Sequence, residues 1–354
     1  MIRPEGFALV LVLWVLSLLT IMAGSFALSM RREAAIVTGS SNNAQAMAVA
    51  ESGLAIAQLM LMHPDQLQRW RTDGSIYQID YADSKARVQL LSETGKIDLN
   101  SADQKLLQGL MAYAPMDVQS QTKLVNAILD WRDEDDLIHI EGAEKKEYKE
   151  AGLSYQPRNK PFQSIEELQL VLGMNERIFK WLEKLVTVYS GQSAVDLTQA
   201  AKEVLLVLPE MDAELINDYI AARRESAING LPAPAFTAGV GVDAASRSVT
   251  GGAKASSNQN KSSGQKSVFE NAPENPVNGE MEQQGVITVV AEALLEDGTT
   301  ANINVLIKKS DNPILLSPFQ ALKWQRNTIG DGSLFTDEKD DLLVRQYDEP
   351  EFNN

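Results

Sequence analysis

Cysteine is absent from the 354 residues, which excludes disulfides, thiol catalysis and zinc–thiolate sites. Histidine is nearly absent: His63 and His139 are the two in the chain, far apart in sequence. No G-x-S-x-G, P-loop or G-x-G-x-x-G occurs, so the common nucleophile elbow and phosphate-cradling loops are missing. Base is in short supply: 32 Lys and Arg against 48 Asp and Glu leave a net charge of −16. That balance argues against phosphate backbones and anionic lipid headgroups as partners. What is present is apolar material, 44% of residues, enough for two domains besides any membrane segment.

Charge is also missing from one long stretch. From Gly6 to Leu28 the chain reads GFALVLVLWVLSLLTIMAGSFAL, and roughly 22 helical residues span about 33 Å, a bilayer core. Three readings stay open on these residues. A secretory signal would use Ala23-Gly24-Ser25 for cleavage, although the apolar run is long for one. A signal anchor needs only the apolar run. The third is a leader cut between Gly6 and Phe7, since a short polar leader ending in Gly and followed by Phe resembles a prepilin leader. Pilin-like subunits ordinarily carry Glu five residues into the mature chain, where Leu11 stands here. A carboxylate in hydrocarbon needs a partner, which that resemblance supplies as the terminal amine of the subunit above. Leu11 therefore implies a subunit with nothing above it. Arg31 and Arg32 follow the span against the positive-inside bias.

From Ser29 to Met62 the chain is Ala-rich, and Ala46, Val49, Ala50, Gly53, Leu54, Ala57 and Leu61 recur at helical spacing until Pro64. The prediction is one helix of about 55 residues, greasy below and packed on a head above, with Gly24, Gly39 and Gly53 each costing about 1 kcal/mol against Ala. Residues 75–92 alternate apolar and polar, with a turn near Ala82-Asp83-Ser84. Gly285 to Lys309 holds a second alternating pair around Asp297-Gly298. Both hairpins joined in one antiparallel sheet against the helix make everything between them an insertion.

That insertion repeats. Asp98, Leu99, Ala102, Leu107 and Leu110 return under one shift as Asp196, Leu197, Ala200, Leu205 and Leu208, and Ser164–Met174 is a looser third copy. Ser101-x-x-Gln104 and Ser164-x-x-Glu167 read as capping boxes, with Thr198 a cap of the other copy. These units resemble helix-hairpin-helix motifs, which raises DNA binding as a rival function. Their turns, Ala114-Pro115-Met116, Leu172-Gly173-Met174 and Leu208-Pro209-Glu210, mostly lack the glycines whose amides would meet a phosphate. Packing modules are the better reading.

GFALVLVLWVLSLL with Leu11, GKIDLN (Gly95–Asn100), AILDWRDEDD (Ala127–Asp136), EGAEKKEY (Glu141–Tyr148), PRNKPFQSIEEL (Pro157–Leu168) and VTVYSG (Val186–Gly191) together resemble the K-type minor pseudopilins of type II secretion. The fold that resemblance implies is α+β: a long N-terminal transmembrane helix packed on a small antiparallel pilin-like sheet, with a large inserted all-α, helix-hairpin-helix-like domain. The organisation becomes residues 1–6 leader, 7–63 long helix (7–28 transmembrane), 64–94 first part of the head, and 95–230 helical insertion. Residues 231–284, rich in Gly, Ser, Asn and Gln, read as a flexible linker. Residues 285–330 return the strands, and 331–354 form an acidic tail whose state the composition leaves open. The function implied is a non-enzymatic subunit at the tip of a periplasmic pseudopilus, helping to start its assembly and so supporting export across the outer membrane. Its companions would be the I- and J-type minor pseudopilins, with the H-type as an optional third and a prepilin peptidase as processing enzyme. Before assembly it would cross the bacterial inner membrane once, head in the periplasm, with no nucleic acid bound. The rival classes are a membrane-anchored DNA receptor of an uptake apparatus and an envelope hydrolase, for which no convergent acid–base set is found.

Asp130 to Glu144 holds seven carboxylates and one Arg, crowding that solvent or a hard cation must offset. Asp133, Asp135 and Glu144 match positions one, three and twelve of a calcium loop, but Leu137 and Ile138 break the pattern, so this is no EF-hand. The family resemblance implies calcium in the helical domain, with Asp133, Asp135, Asp136 and Glu144 as its ligands; Lys145 and Lys146 depart from the acidic family pattern there. His139 reads as a partly buried loop residue, and Arg158 as one half of a fold-holding ion pair, the acidic loop being one candidate partner. Trp70, Trp131, Trp181 and Trp324 read as core or edge aromatics.

Overall fold

The computed structural model describes residues 5–209, 211–236, 285–310, 317–326 and 332–348. Its first element is a single helix, α1 (Glu5–Leu61). No proline interrupts it, and Pro64 follows just beyond its end. The apolar half, Leu9 to Leu28, lies uncovered; Leu11 is 53% exposed. The other half buries one stripe, Ala46, Ala50, Leu54, Ala57 and Met60, against a sheet. Gly53 sits on that stripe where a Cβ would come to 3.0 Å from a Val88 methyl. Its helix-propensity cost is thus offset by close approach of helix to strand.

The sheet has six strands, in the order Phe319–Arg326, Thr300–Lys309, Val286–Leu295, Ser84–Ser92, Asp73–Tyr81 and Leu343–Asp348. Strands β1 (Asp73–Tyr81) and β2 (Ser84–Ser92) form an antiparallel hairpin closed at Tyr81 and Ser84. Strands β5 (Val286–Leu295) and β6 (Thr300–Lys309) form the second hairpin, in which Gly298 takes φ +84° and Asp297 Oδ1 accepts the Thr299 N–H at 2.9 Å. Strand β2 runs antiparallel to β5, Val88 opposite Ala291, and so joins the hairpins across the insertion. Ala86, Ala291 and Ala293 lie in the core shared with α1; their small side chains let the helix approach.

Two edge strands extend the sheet beyond the two hairpins read from the sequence. β7 (Phe319–Arg326) adds antiparallel to β6, carrying Trp324 half-exposed at the edge. β8 (Leu343–Asp348), from the acidic tail, adds parallel to β1 with Tyr347 opposite Ile79. The Tyr347 hydroxyl accepts from Trp70 Nε1 at 3.0 Å, and Trp70 stacks on Tyr77 at 4.3 Å between ring centres. This aromatic cluster holds a segment of the acidic tail: Tyr347 is buried in the sheet core and Val344 packs against it. Residues 349–354 and the linker beyond Phe236 lie outside the described residues.

Between β2 and β5 the chain builds a second core of its own, separate from the sheet core. Its elements are β3 (Ile97–Asp98), α2 (Gln104–Met111), α3 (Val118–Arg132), α4 (Lys145–Glu150), a 3-10 turn (Ile165–Leu170), α5 (Glu176–Leu182), β4 (Val186–Thr187), α6 (Lys202–Leu205) and α7 (Ala213–Ile228). The repeat is physical. Asp98 Oδ1 accepts the N–H groups of Asn100 and Ser101, and Asp196 Oδ1 accepts from Thr198 N and Oγ1. Ala102 and Ala200, Leu107 and Leu205, Leu110 and Leu208 are all buried.

The caps differ from the expected ones. Asp103, not Ser101, caps α2 by accepting the Leu106 N–H at 2.7 Å. Thr198 lies in the aspartate turn, and α6 starts only after Ala201. Ser164 makes no side-chain cap, the third copy forms a 3-10 turn, and Glu167 pairs with Arg158 at 2.6 Å. Arg158 is therefore the ion-pair residue expected, with Glu167 rather than the acidic loop as its partner. Strands β3 and β4 pair in parallel, and buried Glu93 beneath them accepts from Lys96 Nζ and Thr288 Oγ1, both at 2.7 Å, and from Thr187 Oγ1. Glu93 thereby ties helical domain to sheet.

Candidate metal centre

Helix α3 presents Asn126 and Asp130 one turn apart on its buried face. Asp130 is fully buried and accepts the backbone N–H of His139 at 3.1 Å and of Ala143 at 2.6 Å, with His139 Nδ1 also against its Oδ1. Asn126 donates to the Ile140 carbonyl at 2.7 Å and accepts from Gln104 at 3.1 Å. A helix face thus grips the loop after it by its backbone. Gly142 is required there because a Cβ would strike the Asp130 carboxylate. Glu141 bends the loop with φ +62°.

Within that loop the four expected ligands divide. Asp133 is the residue that ends α3, its N–H bonded to the Leu129 carbonyl at 3.1 Å. Its Oδ1 is buried without a hydrogen-bond partner. Glu144 precedes α4, 6% exposed, and forms a capping box with Glu147, which accepts the Glu144 N–H at 3.0 Å; the Glu144 carboxylate leans over the first turn of α4 without a close hydrogen bond to either oxygen. Asp135 is exposed and spends Oδ1 on the Leu137 N–H at 2.8 Å. Asp136 is exposed too, and accepts from Asn159 at 2.9 Å.

The electrostatics follow from that burial. Desolvation, and then the charges of Asp130, Asp133 and Asp136, push the Glu144 carboxyl up to about 7. Asp133 is raised in the same sense by burial, then by Asp130 and Asp135. Buried carboxylate oxygens with no donor are costly, and a hard divalent cation is the group that turns such a cluster favourable. Of the four expected ligands, Asp133 alone lies in the one group of ligand atoms within 4.8 Å of one another among the described residues, with Asp130 and His139; Glu144 feels the charges of Asp130, Asp133 and Asp136 from outside that group, and Asp135 is the least committed. Lys145 and Lys146 are exposed, with Lys146 3.7 Å from Glu150. Asp130 and His139 were not among the residues read as ligands. The legible signal for Asp130 was a carboxylate on the apolar stripe of α3, four residues after Asn126.

The expected processing site is elsewhere. Gly6 and Phe7 are within α1, and Leu11 is on its uncovered part. Among the described residues, α1 is the one helix long and apolar enough to cross a membrane.

Residues 87–191 match a family described as "Type II secretion system (T2SS), protein K". The type II secretion system protein K of Klebsiella pneumoniae is 24% identical over 202 residues, 51% of this chain and 61% of that relative. The chain thus matches about three fifths of the length of that curated relative. A solved structure, the GspK–GspI–GspJ complex of the enterotoxigenic Escherichia coli type 2 secretion system, aligns with a TM-score of 0.44 at 15% identity, over 84% of this chain and 99% of that one.

Proposed function

We propose that this chain, a member of the type II secretion system protein K family, is a non-enzymatic minor pseudopilin at the tip of the pseudopilus. The observation that carries the reading is the division of α1. Leu9 to Leu28 is bare apolar helix, while Ala46 to Met60 is fused to a rigid head. Bare helix of that length is satisfied in a bilayer or among like helices in a fibre core. Leu11 carries no charge needing a partner above, and the helical domain adds bulk to the head that a stacked subunit would have to clear.

In this reading a prepilin peptidase cuts between Gly6 and Phe7 and the new amine is methylated. The chain sits in the inner membrane with its head in the periplasm, then leaves with I- and J-type, and optionally H-type, minor pseudopilins. With them it helps start the fibre that supports export. Asp133, with Glu144, Asp136 and Asp135, holds calcium, whose role is to offset their charge and fix the loop. Mass spectrometry of the mature amino terminus is the test. A methylated start at Phe7 is expected; an intact Met1, or a start beyond Ser25, rejects the assembly reading.

A further inference from the structure

Three large aliphatic side chains stand out of the helical domain within four positions of one another. Leu137, Ile138 and Ile140, in the loop between α3 and α4, are 75%, 49% and 89% exposed. The backbone beneath them is fixed. Asp135 Oδ1 accepts the Leu137 N–H at 2.8 Å, Asp130 Oδ1 accepts the His139 N–H at 3.1 Å, and Asn126 donates to the Ile140 carbonyl at 2.7 Å. From outside the loop, Asn159 Nδ2 donates to the Asp135 carbonyl at 2.7 Å. Aliphatic groups held in this way are costly in water, and the backbone that carries them loses little freedom when a partner covers them.

The surrounding charge selects the partner. Glu134, Asp135, Asp136 and Glu141 are exposed beside the three aliphatics. Seven carboxylates against Arg132 keep Asp130–Glu144 negative even with one divalent cation bound and Lys145 and Lys146 counted. That rim repels anionic headgroups, which disfavours insertion into an anionic leaflet. It repels the same loop on a second copy too, and the chain as a whole carries −16. We propose that Leu137, Ile138 and Ile140 form a docking knob for a protein partner that offers an apolar pocket rimmed by Lys and Arg. The aliphatics supply the buried centre of that contact, and Glu134 and Glu141 its polar rim. This face is distinct from the bare half of α1, and its three side chains carry no metal-ligating atom.

The experiment places the photo-crosslinking residue p-benzoylphenylalanine at position 140 of the full chain in its native cells, with position 118 as the control. Val118 is 76% exposed and lies at the opposite end of α3 from the loop. The captured protein is identified from the crosslinked peptide and purified. It is then titrated against the detergent-solubilised full chain, its Ile140→Ser variant, and a double variant with Glu134→Lys and Glu141→Lys. The expected result is an adduct at position 140 and not at 118, to a segment in which apolar residues are flanked by Lys or Arg. Affinity should fall about tenfold or more in each variant, and severalfold between about 0.05 and 0.3 M salt. The adduct itself needs neither variant to fold. No adduct at 140, the same adduct at both positions, or an adduct to lipid, to a second copy or to an acidic segment would overturn the proposal. So would unchanged affinity in either variant.

Discussion

The Asp73 carboxylate lies 3.3 Å from Nε of Arg223, both side chains almost completely buried and 150 positions apart in the chain. The same guanidinium donates to the Asp73 carbonyl at 2.6 Å and to the Ala200 carbonyl at 2.7 Å. One side chain of α7 therefore joins the first sheet strand to the second repeat of the helical domain. Nearby Arg71 reaches back to the Arg223 carbonyl and Ser226 Oγ, both at 2.9 Å.

Arg223→Ala is expected to destabilise the protein by about 3–5 kcal/mol, because it strands Asp73 as an unpaired buried charge. The two cores would then melt apart. Urea unfolding followed by tryptophan fluorescence should change from one transition to two, and retention of a single unshifted transition would refute the latch.

Stability without metal should depend on pH through Glu144. Its folded-state value is raised, to about 7 from an ordinary 4.5. The folded state thus holds the proton more tightly, and stability present below about pH 4.5 is lost as pH rises through about 7, on the order of 3 kcal/mol. Asp133 contributes in the same sense. In EDTA the melting temperature should fall from pH 5 to pH 8; with a saturating divalent cation, which takes the ionised carboxylates, the fall should be abolished. A flat profile in EDTA would show these carboxyls ionised and unstrained.

Gly142→Ala should remove cation binding while leaving most of the helical core folded. The added methyl collides with the Asp130 carboxylate, and overpacking of this kind costs about 1–3 kcal/mol. Calorimetry with a divalent salt and far-ultraviolet circular dichroism separate the two effects; unchanged affinity would mean the loop relaxes freely.

Leu11→Glu should impair the tip role. A carboxylate without a partner at that depth costs about 2.5–3.5 kcal/mol, so secretion in a complemented strain lacking the parent gene should drop several-fold. Should secretion stay normal and the variant be found along fibre shafts, the reading of Leu11 as a tip feature fails.

Patterns spaced within a few residues of one another were readable from the sequence. The apolar run, the Ala stripe, the two hairpin turns and the repeated Asp-Leu-x-x-Ala spacing each arise from local periodicity, and each appears in α1, the central strands or the paired helices. The capping boxes misled for a local reason too. Asp103 and Asp196 offer acceptors that outcompete the neighbouring hydroxyls, and Glu167 has a better donor in Arg158.

The acidic loop shows where local reading ended. Seven carboxylates in sequence marked the region, but the Asp130 side chain became a backbone clamp because helix packing buried it. Asp135 and Asp136 met turn and Asn159 donors in solvent, while Glu144 was left dry and unpaired. The composition of the acidic tail left its state open; Trp70 and Tyr77, at least 270 residues earlier, supply the surface on which Tyr347 packs. The amino-acid order alone therefore determined the greasy spine, the strand pairs and the family pattern, since those follow from neighbours along the chain. Which carboxylates lost their water, and which edge captured the tail, depended on groups brought together across the fold, because desolvation and packing are properties of three-dimensional surroundings.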